Sequence, residues 1–412
     1  MALIVQKYGG TSVRDLDRMR HVARRVVETQ KAGNDVVVVV SAMAGETDRL
    51  VELAHGISPD PDPREYDALV STGEAKSIAL MAMAIQGLGV PARSFTGGQV
   101  RVRTDAAHTR ARIQTIDSGP IREALARGAV AIVAGFQGVD EEGNITTLGR
   151  GGSDTSGVAV AAALEADVCE IYTDVEGVFT SDPNVVPSAR KLDRVSYDEM
   201  LEMASLGAKV LQIRAVKFAK QYELPLHVRS TFSEQEGTWV VNEEEVMERL
   251  VVSGVTYNRK ESKVTIFGVP DRPGVAARIF SPMSDAGIVV DVIVQNVSSQ
   301  GHTDVTFTVP RGDLSRALAL VERLGKELGA AGVASDESVA KISVVGLGMR
   351  DHAGVASKMF TTLSAEGINI QMINTSEIKI SVVIDEKYTE LACRALHDAF
   401  ELGAGAATPE EI

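Results

Sequence analysis

The sequence predicts an α/β fold: a mostly parallel, three-layer sheet followed by two smaller α+β units. Three observations carry this. Over roughly the first 245 residues, short apolar runs alternate with stretches of helical period, the signature of a parallel sheet covered on both faces. Asp35-Val36-Val37-Val38-Val39-Val40-Ser41 is apolar without alternation, as in a central strand buried on both sides. Beyond about residue 246 the chain repeats itself. Asp271-Arg272-Pro273-Gly274-Val275-Ala276-Ala277-Arg278-Ile279-Phe280 returns as Asp351-His352-Ala353-Gly354-Val355-Ala356-Ser357-Lys358-Met359-Phe360, and Ala286-Gly287-Ile288 as Glu366-Gly367-Ile368.

The elements follow in order. Leu3–Gln6 is a strand that delivers Lys7 to its C-terminal end, where Gly9-Gly10 turns the chain and Thr11 or Ser12 caps a helix. Leu16, Met19, Val22, Ala23, Val26 and Val27 form that helix's apolar face, and Gly33 ends it. Residues 35–41 are the next strand, and Ser41 and Thr47 follow at its tip. Each hydroxyl could position a substrate; alone, each also reads as a cap. Ser71-Thr72-Gly73-Glu74-Ala75 starts a long helix through Gln86. Glu74 suits a first turn on dipole grounds alone, which competes with a ligand role. Ala92–Phe95 is a short strand, 104–113 a polar loop, 118–127 a helix with Pro120 in its first turn, and Ala129–Ala134 a buried strand. Val168–Asp174, 196–206 and Pro225–Ser230 read as strand, helix and a final strand.

The central stretch is Thr147-Leu148-Gly149-Arg150-Gly151-Gly152-Ser153-Asp154-Thr155-Ser156-Gly157. It precedes the helical run Val158–Leu164, with Ser153, Asp154 or Thr155 as N-cap. Backbone N–H groups at such a helix start bind phosphate or carboxylate. Arg150 adds a fork for a carboxylate or phosphate, and Asp154 an anion that orients a neighbouring cation. Lys7, beside Gly-Gly at a strand tip, reads as a phosphate contact against the plainer reading of a solvated lysine.

Composition bounds the function. At 412 residues with 44% hydrophobic content the chain can build proper cores, and about two to three domains are expected. No run of about 18 apolar residues predicts a membrane span, and the N-terminus reads as a strand, not a signal peptide. The cysteines, Cys169 and Cys393, are too few for a disulfide framework or a cysteine-rich metal site, which suits a reducing cytoplasm. A net charge of −14 argues against nucleic acid as the main partner. There is no P-loop motif.

Four loops occur together and in this order: Lys7-Tyr8-Gly9-Gly10-Thr11-Ser12, Leu148–Asp154, Tyr172-Thr173-Asp174-Val175-Glu176-Gly177-Val178 and Gly207-Ala208-Lys209-Val210-Leu211. Together they resemble the aspartate kinases, of the amino-acid kinase fold, over nearly the whole chain. The resemblance implies ATP-dependent phosphorylation of the L-aspartate side-chain carboxylate to 4-phospho-L-aspartate, with Mg²⁺ carried mainly on the ATP phosphates. It implies that Lys7 contacts the transferring phosphate, with Gly9 and Gly10 supplying backbone donors and Asp154 orienting the lysines. Arg150 would hold the α-carboxylate and Glu74 the ammonium, with Ser41, Thr47, Gly151, Gly152 and Ser153 lining the acceptor. Tyr8, Thr173, Asp174, Phe179, Lys209 and Val210 would border ATP. Relatives often carry Asp-Pro-Arg where this chain has Asp182-Pro183-Asn184, which puts a nucleotide contact from Asn184 in doubt. The alternatives are another kinase of this fold, such as a glutamate kinase, or a non-catalytic amino-acid sensor.

The repeated half resembles paired ACT domains, ferredoxin-like amino-acid-sensing modules. The expected organisation is 1–245 catalytic, 246–337 first ACT and 338–412 second ACT, with the strand 251–256 pairing into the second. Two such units should pack together to bury their faces. The resemblance implies feedback regulation by lysine, threonine or both. Asp271, Gly274, Val275, Ala276, Asp291, Gln295, Asn369 and Ile370 are the effector candidates. It also implies a homo-oligomer through these domains, or a heterotetramer with a regulatory-half subunit started near Met247. The plainer reading is that the repeat only dimerises the enzyme.

Overall fold

The computed structural model describes residues 1–205, 210–246, 251–296, 301–350 and 352–403. Lys209, Met247 and Asp351 lie outside the described residues. Two compact units divide the chain: 1–178, 191–205 and 209–248 form the first, and 179–190, 206–208 and 249–412 the second.

The first unit runs β1 (Leu3–Tyr8), α1 (Leu16–Lys31), β2 (Asp35–Val40), α2 (Glu46–Ile57), α3 (Pro63–Val70), α4 (Thr72–Gln86), β3 (Ala92–Phe95), β4 (Arg103–Thr104), β5 (Ile113–Thr115), α5 (Gly119–Ala126), β6 (Val130–Ala134), β7 (Gln137–Val139), β8 (Ile145–Thr147), α6 (Gly152–Leu164), β9 (Val168–Thr173), β10 (Arg194–Ser196), α7 (Tyr197–Ser205), α8 (Ile213–Gln221), β11 (Leu226–Ser230) and β12 (Thr238–Val241). The main sheet has the order β10-β12-β11-β9-β1-β2-β6-β3. It is parallel apart from the antiparallel β11–β12 pair. Alternation explains its three layers. Val36, Val38 and Val40 of β2 pack with α1 and α4 residues such as Val22 and Met81, while α5 and α6 cover the opposite face.

Several expectations need correction. α1 is capped by Asp15, whose carboxylate accepts from the Arg18 amide at 2.9 Å, not by Thr11 or Ser12. Ser12 is buried, and its hydroxyl is 2.6 Å from that of Thr231. α6 starts at Gly152, capped by left-handed Gly151 with no side-chain cap, so Ser153, Asp154 and Thr155 lie inside its first turn. The stretch expected to loop over 104–113 does so from 105 to 112, and its two ends, Thr104 and Ile113, belong to strands of a second small sheet, β5-β4-β7-β8. β11 is not the last strand; β12 follows and joins β10 to the sheet.

The stretch Pro63–Gln86, covering α3 and α4, has the length and hydropathy of a membrane span by composition alone. It is a core segment: half of its most apolar window is buried, and α4 packs on α1, β3 and β6.

The second unit runs β13 (Gly254–Asn258), β14 (Glu261–Pro270), α9 (Val275–Asp285), β15 (Ile293–Gln295), β16 (His302–Pro310), α10 (Leu314–Leu328), β17 (Gly332–Asp336), β18 (Val339–Val345), α11 (Val355–Ala365), β19 (Met372–Thr375), β20 (Lys379–Asp385) and α12 (Thr389–Ala399). Its sheets have the orders β15-β16-β14-β17 and β13-β18-β20-β19. The repeat is visible in detail: α9 and α11 are both capped by left-handed glycines, Gly274 and Gly354. β13 pairs antiparallel with β18 of the second repeat, Gly254 opposite Val345. Val292 of the first repeat clusters with Val339, Met372 and Val383 of the second.

Candidate active site

The four central strands β9, β1, β2 and β6 are parallel, so their C-terminal tips and the loops after them share one edge. In open α/β sheets that edge is where ligands bind. Lys7 reaches it at the end of β1. Only 8% of Lys7 is exposed, and its ammonium is ion-paired with Asp154 in the first turn of α6. A glycine permits this approach: a Cβ at Gly157 would lie 3.0 Å from the Lys7 Cβ and 3.2 Å from its Cγ. At Gly9 a Cβ would lie 3.4 Å from the Lys7 Nζ, and at Gly10 3.0 Å from the Ala42 carbonyl. The β1 and β2 tip loops are therefore in close backbone contact.

The α6 start comes from the other side. Gly149 and Gly151 have φ of +75° and +71°, a conformation glycine adopts freely. Among the described residues nothing accepts from the amides of Ser153 and Asp154, which leaves two helix-start donors at the positive end of the dipole. Arg150 is exposed and has no ion pair among the described residues. Ser153 lies against Gly135, where a Cβ would meet its side chain at 3.0 Å.

Glu74 completes the arrangement. It is 3% exposed, and its Oε1 accepts from the Ala42 amide at 2.9 Å. Its Oε2 is buried with no partner. Burial raises its pKa from 4.5 to about 7, against the lowering effect of backbone hydrogen bonds. A cation brought to that oxygen would restore the charged form. Ser41 is half-buried just beyond β2, and Thr47 half-buried in the first turn of α2.

On the nucleotide side the outcome is mixed. Thr173 ends β9 half-buried, its hydroxyl donating to the exposed Asp174 at 3.2 Å. Val210 is half-buried in the turn before α8. The Tyr8 ring is fully buried and stacks on Tyr172 with centroids 4.6 Å apart, so Tyr8 could border a nucleotide only through its backbone. Phe179 belongs to the second unit. Asn184 is turned back on Asp182, to which its amide and side chain donate at 2.9 and 3.0 Å. The supporting glycines Gly135 and Gly157 escape a sequence reading, because only their distant neighbours give them meaning.

In the second unit, Gly274 opens α9 with Ala276 exposed beside it, but Val275 is a core residue and could offer only its backbone. Asp271 and Gln295 are exposed. The carboxylate of Asp291, another effector candidate, pairs with Lys341. Asn369 and Ile370 line a surface cleft of about 410 Å³ with Phe360, Ser364, Gly367 and Ile368.

Known proteins match this arrangement. The amino acid kinase family model matches residues 2–230, and ACT domain models match 263–329 and 342–400. The aspartate kinase Ask_LysC of Stutzerimonas stutzeri is 59% identical over 412 residues, covering 100% of both chains. An aspartate kinase of Pseudomonas fluorescens is 60% identical over 98% of this chain and 99% of its own. The E. coli aspartokinase III complex with aspartate and ADP superposes with a TM-score of 0.81 at 27% identity, covering 96% of this chain and 99% of that one. The complex of the same enzyme with lysine and aspartate gives 0.77 at 28% identity, over 97% and 99%. With a kinase-type edge, a doubled regulatory module and full-length identity near three-fifths, the chain belongs to the aspartate kinase family.

Proposed function

We propose that this chain transfers the terminal phosphoryl group of ATP to the side-chain carboxylate of L-aspartate, releasing ADP and 4-phospho-L-aspartate. The observation that carries the reading is the buried, partnerless Glu74 oxygen on the same strand edge as the Lys7–Asp154 pair. The first suits an ammonium and the second a phosphate.

In this reading Arg150 takes the α-carboxylate of aspartate and Glu74 its ammonium, while Ser41, Thr47, Gly151, Gly152 and Ser153 line the acceptor. Lys7 neutralises the transferring phosphoryl group, with Gly9, Gly10 and the free α6 amides as further donors; Asp154 keeps Lys7 in place. Thr173, Asp174 and Val210 border the nucleotide. The acceptor carboxylate, with a pKa near ~4, is already ionised at neutral pH, so no general base is required. A carboxylate oxygen bonds to the γ-phosphorus as the bond to the ADP oxygen breaks, and catalysis is positioning and charge neutralisation. Among the described residues no cluster of three or more His, Cys, Asp or Glu could hold a metal. In this reading Mg²⁺ is carried mainly on the ATP phosphates and water.

The second unit is proposed to sense lysine, threonine or both, with Gly274, Ala276, Asn369 and the exposed Asp271 and Gln295 as contacts, and to join copies of the chain into an oligomer. Aspartokinase III of E. coli has been crystallised with lysine, which supports lysine as one effector. A cytoplasmic location fits two free, buried cysteines. The test is ADP release with aspartate or glutamate as acceptor, with and without each effector. Aspartate should turn over and glutamate should not; turnover of glutamate alone would overturn the assignment.

A further inference from the structure

The acceptor loop 147–151 is held by two groups of opposite charge that no loop motif contains, one buried and one half-buried. Asp67, on α3, is fully buried. Its carboxylate accepts from the Thr147 amide at 2.9 Å and the Thr147 hydroxyl at 2.6 Å. It also accepts from the Thr109 amide at 2.9 Å, and His108 Nδ1 lies 3.0 Å away. One carboxylate thus binds the N–H side of two segments: the end of β8, and the loop before β5.

Arg214, on α8, binds the carbonyl side of the same two segments. Its guanidinium donates to the Leu148 carbonyl at 2.7 Å and to the Ala111 carbonyl at 3.0 Å. Between these anchors the Ala111 amide donates to the Thr147 carbonyl at 2.9 Å. Gly149 presses so close that a Cβ there would lie 2.9 Å from the Thr109 carbonyl. Arg150 is the next residue. A backbone tied from both sides immediately before it fixes where its fork begins and where the α6 amides point.

We propose that Asp67 and Arg214 are positioning residues for the acceptor amino acid, holding the 147–151 loop so that Arg150 and the start of α6 meet the substrate ready-formed. This rests on the reading of Arg150 as the α-carboxylate contact. Neither residue touches substrate; each acts through the loop. Nucleotide contacts at the β9 tip do not depend on them, and that separates positioning from general support of the fold.

The test is steady-state kinetics in both substrates, with thermal melting, for Arg214→Met, Arg214→Lys, Asp67→Asn and Thr147→Val. Arg214→Met should raise the KM for aspartate about tenfold to a hundredfold, the scale of a misplaced contact. The KM for ATP should rise by less than the KM for aspartate, because the α6 amides contact only its terminal phosphate while Thr173, Asp174 and Val210 border the nucleotide from outside this loop. Arg214→Lys, which reaches one carbonyl, should recover part of the loss. Asp67→Asn should act in the same direction. If it fails to fold, Thr147→Val, which deletes only the 2.6 Å hydroxyl bond, carries the same expectation on a smaller scale. Unchanged aspartate KM in folded variants, or equal rises for aspartate and ATP, would overturn the proposal. Absence of aspartate turnover in the unmodified protein would instead sink the functional reading beneath it.

Discussion

Replacing Glu74 by Gln should make the protein more stable and a poorer enzyme, in a manner that depends on pH. Burial raises the Glu74 pKa from 4.5 to about 7. At ~1.4 kcal/mol per tenfold change in proton affinity, the ionised side chain costs the folded state about 3 kcal/mol. The folded state binds the proton more tightly than the unfolded chain, so stability is full below pH 4.5 and is lost as pH rises through about 7. Gln keeps an oxygen for the Ala42 amide and cannot ionise. Its advantage should be near zero at pH 4.5 and complete by pH 8. At roughly 2–4 °C per kcal/mol for a domain of this size, that is a rise in Tm of roughly 6–12 °C at pH 8. The function should move the other way. Loss of a charged partner for the ammonium, worth about 1.5–3 kcal/mol, raises the KM for aspartate about tenfold to a hundredfold at pH 8. In the parent the KM should also climb as pH falls below about 7, because a neutral Glu74 no longer attracts the ammonium; the variant should lack that limb. Melting by calorimetry from pH 5 to 8 and kinetics over the same range decide it. A Tm gain independent of pH, or an unchanged aspartate KM, refutes the reasoning.

Lys7→Ala should lower kcat by at least about a hundredfold, as loss of a preorganised charge at a transferring group does, with the fold intact by circular dichroism; a near-parental rate would remove Lys7 from the mechanism. Gly157→Ala sets a helix gain of ~1 kcal/mol against overpacking of about 1–3 kcal/mol, and the 3.0 Å approach to the Lys7 Cβ decides for overpacking. Both kcat and Tm should fall, and a Tm above the parent's would show that Lys7 yields without cost.

What the sequence discloses is local. The glycine loop, the β2 run and the 80-residue echo are signals of composition and period, and the strands and helices formed where those signals lay. The misses share a different cause, a partner far along the chain. Ser12 looks like a cap until Thr231 takes its hydroxyl, and the cap falls to Asp15. Tyr8 sits inside the phosphate-loop motif, yet Tyr172, on the neighbouring strand, draws its ring into the core. The helix start after Gly151 was legible as a site, but two left-handed glycines let the chain enter α6 earlier than capping chemistry suggests. Asp67 offered no signal at all, since an aspartate on a short helix reads as surface until the two segments it joins are in place.

The repeated half carries the same lesson further. In the first repeat the edge strand next to β14 is β17, which follows α10; in the second, the strand at the corresponding edge of β18 is β13, which precedes the whole first repeat. The two repeats are therefore not beads in series: the second sheet is complete only with a strand that the chain lays down before starting the first. Charge fastens the same seam. Lys341 of the second repeat is 4% exposed and paired with Glu261, at 2.7 Å, and Asp291 of the first. Burial alone would lower the Lys341 pKa, but the two carboxylates hold it above its ordinary value. A buried ammonium without them would be strongly destabilising, so repeats that shared only apolar surface could slip or part where these cannot. Effector chemistry at Asp291 would thus act on a residue already committed to joining the repeats, which makes that carboxylate a structural fastening before it is anything else.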